Sequence, residues 1–189
     1  MQGHIDARGL SCPQPVILTK KALEAGDSVT TVVDNEAALE NVSRLAQRLG
    51  YDVEVEQQGN DYHIHIDKNA AKTEQVEFNH GVILITGQYL GRGDDALGRI
   101  LMKSFFYTLT QMKDAVTALI FINSGVALTS QGSEVLDHLL ELEQVGVEIL
   151  SCGTCLDFYH LKNRLMVGQV SNMYSILERV SAADKVITI

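Results

Sequence analysis

Apolar and polar positions alternate in short, regular patterns over the first third of the chain. Apolar residues recur at helical spacing from Ala38 to Leu49 and stop at Gly50, which predicts an amphipathic helix. SVTTVVD, ahead of it, is rich in β-branched residues and predicts a strand. YDVEVEQ and DYHIHID, after it, alternate apolar with polar positions on either side of QGN, which predicts a β-hairpin.

Two more elements precede these. HIDARG predicts a short strand, and PQPVILTKKALEAG predicts a helix with a proline near its start and a glycine at its end. The resulting order is βαβαββ. It predicts an α/β two-layer sandwich in which both helices pack on one side of a four-stranded sheet.

The second half of the chain has a different pattern. GVILITG, ALIFIN and VEILS include continuous apolar runs, which are typical of parallel strands buried on both faces. Helical patterns separate them, and KVITI predicts a further strand. Strands that alternate with helices predict an open, mostly parallel sheet covered on both faces, that is, a three-layer α/β domain.

Between the halves, DKNAAKTEQVEFN has no apolar periodicity. We interpret residues 69–79 as a linker between one domain at residues 1–68 and a second at residues 80–189. A flexible linker of this length spans about 20 Å. Such a tether keeps groups on the two domains at an effective concentration of about a millimolar.

Composition and charge narrow the class of protein. The chain is 46% hydrophobic and 21% charged, as in ordinary globular proteins, and its net charge of −9 disfavours nucleic acid or an acidic membrane as a partner. No apolar run approaches the ~18 to 20 residues of a membrane helix, and MQGHIDARG is not expected to be a signal peptide. We therefore expect a soluble, cytoplasmic protein whose three cysteines are free thiols, a redox pair or ligands.

The first cysteine lies where the first strand gives way to the first helix. Cys12 is followed by Pro13 and Pro15, the only prolines of the chain. Unpaired N–H groups and the helix dipole favour an anion at a helix start, so a thiolate suits this position. Pro13 fixes φ for helix initiation, and Arg8 adds positive charge if the loop folds back. The alternative is a buried cysteine that acts as a small hydrophobe, and these residues leave both open.

The run DARGLSCPQPVILTKKAL contains a C-P-x-P motif, Cys12-Pro13-Gln14-Pro15, and resembles the TusA/SirA family of small sulfur-carrier proteins. The resemblance covers about residues 2–68. It implies that Cys12 accepts sulfur as a persulfide, for instance from a cysteine desulfurase-type donor, and passes it to the thiol of a downstream acceptor protein. The sulfur is then a transient group, and no resident cofactor is implied.

The other cysteines form a C-x-x-C pair. Cys152 lies at the carboxyl end of a predicted parallel strand, where open α/β sheets place functional groups, and Cys155 follows as a helix begins. A zinc site is disfavoured because it needs four ligands and only this pair, with His160 nearby, is present. A dithiol redox pair and a sulfur-transfer site fit equally well, and inert packing is less favoured. Cys155 is slightly preferred as the receiving thiol. Tyr159 and His160 would either tune or shield the thiols or be ordinary helix residues, and the sequence leaves both open.

Residues 80–189 resemble the DsrE/DsrF-like sulfur-relay domains. The two modules together, with GQYLGRGDDALGRILMKSFFYTLT and SCGTCLDFYHLKNR, resemble the YedF-type family of sulfurtransferase-like proteins linked to selenium metabolism. The resemblance implies transfer of sulfur or selenium from Cys12 to Cys152 or Cys155, in selenium metabolism or a pathway of the tRNA-thiolation type. It also implies a homo-oligomer, for which SFFYTL is a candidate interface.

Two functions of other classes stay open. A regulatory or binding module would sense or sequester the chalcogen at Cys12 without onward transfer. A thiol–disulfide oxidoreductase would cycle Cys152 and Cys155 through a disulfide without needing Cys12.

The loop GRGDDA superficially resembles a nucleotide-binding turn. Asp94 and Asp95 would repel a pyrophosphate there and are better placed to cap the next helix, so we expect a lid over the cysteine site instead. His63 and His65 alternate along a predicted strand and are expected on its solvent side.

Overall fold

In a computed structural model of the protein, residues 2–68, 81–112 and 115–189 are described. The chain divides into two compact units, residues 1–77 and 78–189. Each unit has its own sheet and its own hydrophobic core. The linker predicted at residues 69–79 lies outside the described residues.

The N-terminal unit combines a four-stranded sheet with two helices. Its elements are β1 (Gln2–Asp6), α1 (Gln14–Ala25), β2 (Ser28–Val33), α2 (Glu36–Arg48), β3 (Asp52–Gln58) and β4 (Asp61–Asp67). The strand order is β1-β2-β4-β3, with β1 parallel to β2 and the other pairs antiparallel. The predicted βαβαββ order is confirmed.

Local chemistry sets the element ends in this unit. The Asn35 side chain caps α2 by accepting the N–H of Ala38, and Gly50 follows the helix with a φ of 77°, a conformation that glycine adopts without steric cost. In β4, Ile64 and Ile66 are buried against the helices. His65, between them, is only half-buried, and its ring nitrogen Nδ1 is hydrogen bonded to the Thr30 hydroxyl at 2.9 Å.

The C-terminal unit is built on a five-stranded sheet. Its strands are β5 (Gly81–Ile85), β6 (Val116–Phe121), β7 (Glu148–Cys152), β8 (Gln169–Ser171) and β9 (Val186–Thr188). Its helices are α3 (Asp95–Thr110), α4 (Leu136–Gln144), α5 (Gly153–Phe158) and α6 (Met173–Ser181), with 3₁₀ segments at Asn123–Thr129 and Lys162–Arg164. The order is β8-β7-β6-β5-β9, and each of these pairs is parallel.

Apolar side chains cover both faces of this sheet. Along β7, Ile149 faces a cluster that includes residues of α3 and α4, whereas Leu150 and Cys152 face a cluster that includes Ile176 of α6. The alternation follows from the two-residue period of a strand. The three-layer α/β arrangement predicted from the sequence is confirmed.

The structure differs from the sequence pattern at several ends. The helix predicted to begin at Cys155 spans only Gly153–Phe158, and His160 has a left-handed φ of 57°, which no helix continues through. Strand β8 was not predicted, because its three residues are too short for a periodic signal. Asp94 caps α3 as expected, since its carboxylate accepts the N–H of Leu97 at 3.0 Å.

No described helix is both long and apolar enough to cross a membrane.

The 3₁₀ segment after β6 is held tightly against two strands. A Cβ atom on Gly125 would lie 2.6 Å from the carbonyl oxygen of Ile85, so only glycine fits there without movement of the backbone. At the other end, the buried hydroxyls of Thr129 and Ser151 are 2.9 Å apart and hydrogen bonded. These contacts fix the segment that begins with Asn123.

We expect Gly125→Ala to lower the free energy of unfolding of the C-terminal unit by about 1 to 3 kcal/mol, the usual cost of forcing an extra carbon into a filled space. Denaturant titration, followed by circular dichroism, measures the change. Gly93→Ala is the matched control, because a Cβ there meets nothing within 4 Å, and it should change stability by less than about 0.5 kcal/mol. Equal effects of the two substitutions would contradict the packing argument.

Candidate thiol sites

The loop that carries Cys12 is anchored at its base by an arginine. The Arg8 guanidinium donates to both carboxylate oxygens of Asp6, at 2.9 and 2.6 Å, and to Asp61 of β4 at 3.0 Å. The next residue, Gly9, donates its N–H to the Asp34 carboxylate at 2.7 Å. These hydrogen bonds attach the loop to three carboxylates at one end of the sheet, at the end of β1, after β2 and at the start of β4.

These contacts set the ionisation of the carboxylates. Hydrogen bonds from the Arg8 side chain and backbone lower the pKa of Asp6 to about 2. Hydrogen bonds from Asn35 and from the Gly9 N–H lower the pKa of Asp34. The pKa of Arg8 is raised in turn, chiefly by the bond to Asp6. Arg8 thus pairs with carboxylates, and no described hydrogen bond or ion pair joins it to Cys12.

Cys12 is exposed, two residues ahead of the first residue of α1. Its peptide bond to Pro13 is cis, and Pro13 is the N-cap residue. The expected contact between the Cys12 sulfur and the helix start is not found within residues 2–68. Pro13 has no N–H to offer, and the N–H of Gln14 donates to the Ser11 carbonyl at 2.9 Å. The thiol is therefore presented to solvent rather than bound by the helix.

A small recess lies beside the Cys12 side chain. Its volume is about 50 Å³, and its lining includes Leu10, Val16 and Ala38 together with the amide of Asn41. This space exceeds the ~10 to 15 Å³ of cavity volume that one water molecule needs, so an atom of that size fits. The Asn41 side chain is half-buried.

The C-x-x-C pair lies at the end of β7. Cys152 is the last residue of the strand and the N-cap of α5, and Cys155 is the third residue of that helix. Cys152 is only 2% exposed and belongs to the α6-side cluster. Cys155 is half-buried and packs against both clusters of the unit. The two thiols are neighbours but differ in access, and neither forms a disulfide.

Asn123 is a component of this site that sequence reasoning missed. Its backbone N–H donates to the Cys155 sulfur at 3.1 Å, and its side-chain oxygen accepts the Tyr159 hydroxyl at 2.9 Å. Its φ of 52° is left-handed, which is uncommon outside glycine. A signal for it exists: Asn123 is the second residue after β6, and the carboxyl ends of adjacent parallel strands meet at the same end of a sheet.

The surroundings of Cys155 act on its ionisation in opposite directions. Burial raises the pKa of the Cys155 thiol, and the neighbouring Cys152 raises it further through a hydrogen bond, while the Asn123 N–H lowers it. The net direction is upward. At neutral pH the Cys155 side chain is therefore held mostly as the protonated thiol.

Other residues singled out by the sequence lie apart from the thiols. Tyr89 and Leu90 of the glycine-rich loop pack on Gly98 of α3, and the Arg99 guanidinium lies 5.8 Å from the Tyr89 ring centre. The loop thus folds on its own helix, and no described contact joins it to Cys152 or Cys155 as a lid would require. Within the described residues, no group of three or more His, Cys, Asp or Glu side chains is arranged to hold a metal ion.

A model of the protein family described as Sulfurtransferase TusA matches residues 4–68. Over 52 residues the chain is 46% identical to the "Putative sulfur carrier protein" of Methanocaldococcus jannaschii, a match that covers 26% of this chain and 69% of that relative. The chain belongs to the TusA family. The TusA match ends at Lys68, ahead of both thiols of the C-terminal unit.

Two solved structures resemble parts of this TusA-family chain. The SirA-like protein from Desulfitobacterium hafniense is 40% identical, with a TM-score of 0.33, and the match covers 35% of this chain and 96% of that one. The YchN protein from E. coli is 15% identical, with a TM-score of 0.45, and the match covers 58% of this chain and 99% of that one.

Removal of the Arg8 guanidinium should raise the pKa of Asp6 from about 2 toward the ordinary ~3.9. Because folding lowers this pKa, the pair's contribution to stability is present above about pH 4 and is lost as the pH falls toward about 2. An NMR titration of the Asp6 carboxyl carbon in Arg8→Ala measures the shift. In the control Arg44→Ala, whose guanidinium lies 4.0 Å from Glu40, the Asp6 titration should not move.

The rate at which iodoacetamide alkylates Cys155 should reach half its maximum at a pH above ~8.5, the ordinary pKa of a cysteine thiol, because the thiolate is the reacting form. Mass spectrometry of the Cys12→Ser chain follows this residue without interference from the exposed thiol. Adding Cys152→Ala removes a hydrogen bond that raises the pKa of Cys155, so the half-maximal pH should fall. A profile that both chains share would show that Cys152 does not act on Cys155.

Proposed function

We propose that the protein is a chalcogen relay of two modules, in which Cys12 carries a sulfur or selenium atom and Cys155 receives it. In this proposal residues 80–189 are a DsrE/DsrF-like domain, and the fusion is of the YedF type, acting in selenium metabolism or in a pathway of the tRNA-thiolation type. The observation that carries the proposal is the presence of one accessible thiol on each of two units, one of which belongs to the TusA family.

The family match supports a sulfur-carrier role for the N-terminal unit. A carrier thiol must be reached by more than one partner, and Cys12 is exposed on a loop whose base is anchored by Arg8. The recess beside it has room for one additional atom and is lined mostly by apolar groups. That space suits the outer sulfur of a persulfide, which is polarisable and poorly hydrated compared with a carboxylate.

Burial supports Cys155 as the receiver rather than Cys152. A receiving thiol must meet the outer sulfur of another persulfide, and Cys152 is only 2% exposed. Cys155 is half-buried, and the Asn123 N–H at 3.1 Å can stabilise negative charge on its sulfur. Its place at the carboxyl end of a parallel strand is where such sheets usually hold their reacting groups.

The transfer balances without a cofactor. The Cys12 thiolate attacks the outer sulfur of a donor persulfide, such as that of a cysteine desulfurase, and the donor cysteine leaves as a thiolate. The Cys155 thiolate then attacks the outer atom of the Cys12 persulfide, and Cys12 regains its thiolate. The same steps apply to a terminal selenium atom. A final acceptor protein with a free thiol, and assembly into a homo-oligomer, complete the proposal.

The relay is tested by charging the full chain with a cysteine desulfurase and L-cysteine, and by locating the added sulfur with peptide mass spectrometry. We expect the mass of one sulfur first at Cys12 and later at Cys155. In Cys155→Ser, loss from Cys12 should slow about tenfold or more, because a tethered acceptor acts at about millimolar concentration while the chains are micromolar. Selenocysteine in place of cysteine tests selenium in the same way.

Cys152→Ser is the matched control, since it keeps the proposed receiver and should still show sulfur at Cys155. Mixing Cys12→Ser chains with charged Cys155→Ser chains shows whether transfer also occurs between copies. Sulfur that stays on Cys12 in the wild type favours a sensing or sequestering module. A Cys152–Cys155 disulfide that cycles equally well in Cys12→Ser without any added persulfide favours a thiol–disulfide oxidoreductase.

A further inference from the structure

Cys152 has no part in the relay as proposed, yet it is the thiol best placed to act on Cys155. It is the N-cap of α5 and Cys155 is the third helical residue, the position that an N-cap side chain commonly reaches. Cys155 packs against the buried cluster that contains Cys152, and the neighbouring Cys152 raises the pKa of Cys155. Small rotations of the side chains bring such a pair to disulfide distance.

Cys152 and Cys155 differ in solvent exposure, and this difference decides which reactants can reach each thiol. Cys152 is enclosed with Leu150, Ile120 and Ile176 and is 2% exposed, whereas Cys155 is reached from outside. A donor protein cannot reach Cys152, and neither can a bulky reductant. The one electrophilic sulfur that Cys152 can meet is therefore that of Cys155.

Resting on the proposed function, we infer that Cys152 is a resolving thiol that releases the delivered atom as hydrosulfide. The Cys152 sulfur attacks the inner sulfur of the Cys155 persulfide, and a Cys152–Cys155 bond forms. The bond between the inner and outer sulfur atoms breaks, and the outer sulfur leaves with the electron pair. The proton of the Cys152 thiol accompanies it, so that a thiol and a persulfide become a disulfide and hydrogen sulfide.

The leaving group favours this direction. Hydrosulfide is a weaker base than an alkyl thiolate, and the weaker base leaves faster in thiol–disulfide exchange. Cys152 is buried in the cluster against which Cys155 packs, so it can approach the inner sulfur of Cys155 from within the protein. With selenium the product is hydroselenide. A further turnover requires a dithiol reductant of the thioredoxin class to reduce the Cys152–Cys155 disulfide.

The test uses the full chain with Cys12→Ser, so that the result does not depend on delivery from Cys12. Glutathione persulfide supplies sulfur to Cys155, and the released sulfide is trapped with monobromobimane while intact mass is recorded. We expect sulfide release together with a loss of two hydrogens from the chain. In the double variant Cys12→Ser/Cys152→Ser, the sulfur should stay on Cys155, and release should fall about tenfold or more. The double variant Cys12→Ser/Cys152→Ala repeats the test with an apolar substitution. An effect of the serine hydroxyl on folding is thereby distinguished from the loss of the thiol.

The outcomes distinguish the receiving role of Cys155 from the resolving role of Cys152. If the double variants gain no sulfur at Cys155, the receiving role of Cys155 is wrong, and the resolving role falls with it. If they gain sulfur, but the Cys12→Ser chain also keeps it without releasing sulfide, the resolving role alone is wrong. A chain that retains the sulfur and loses two hydrogens holds a trisulfide bridge, which likewise overturns release. The Cys12→Ser chain handled without glutathione persulfide should stay reduced, which excludes oxidation by air.

Discussion

The hydrogen bond from the Asn123 N–H to the Cys155 sulfur is the contact on which the C-terminal site depends. It exists only because a 3₁₀ segment is pressed onto the sheet: Gly125 admits the Ile85 carbonyl, and Thr129 is bonded to Ser151. With the segment fixed, Asn123 holds a left-handed backbone, and its side chain accepts the Tyr159 hydroxyl from the end of α5. Packing at the strand ends thus decides how a thiol is solvated.

The environments of Cys12 and Cys155 suit opposite tasks. Cys12 lies on an exposed loop whose base is braced by ionic contacts, so the thiol is open to partners while its support stays ordered. Burial raises the pKa of Cys155, which keeps the fraction of reactive thiolate low at neutral pH. A low thiolate fraction limits oxidation and stray alkylation of the receiver, and the Asn123 N–H partly restores its reactivity.

Much of the fold was predictable because it follows from residue type and period. β-Branched runs, apolar runs and the Asp94 cap mark their elements directly in the sequence. The details of the two thiol sites were not predictable, because they depend on contacts between residues that are far apart in the sequence. The Cys12 sulfur was expected at the helix start, but Pro13 takes the N-cap position and the Gln14 N–H bonds Ser11. Likewise, no local pattern encodes the left-handed turn at Asn123 that brings its N–H to Cys155.

The order of exposure among the three thiols follows their proposed order of action. Cys12 is exposed, Cys155 is half-buried, and Cys152 is enclosed. If Cys152 were exposed, it would compete with Cys155 for the incoming atom and would itself be open to reductants. Enclosure in the α6-side cluster removes that competition, because only an intramolecular partner remains within reach.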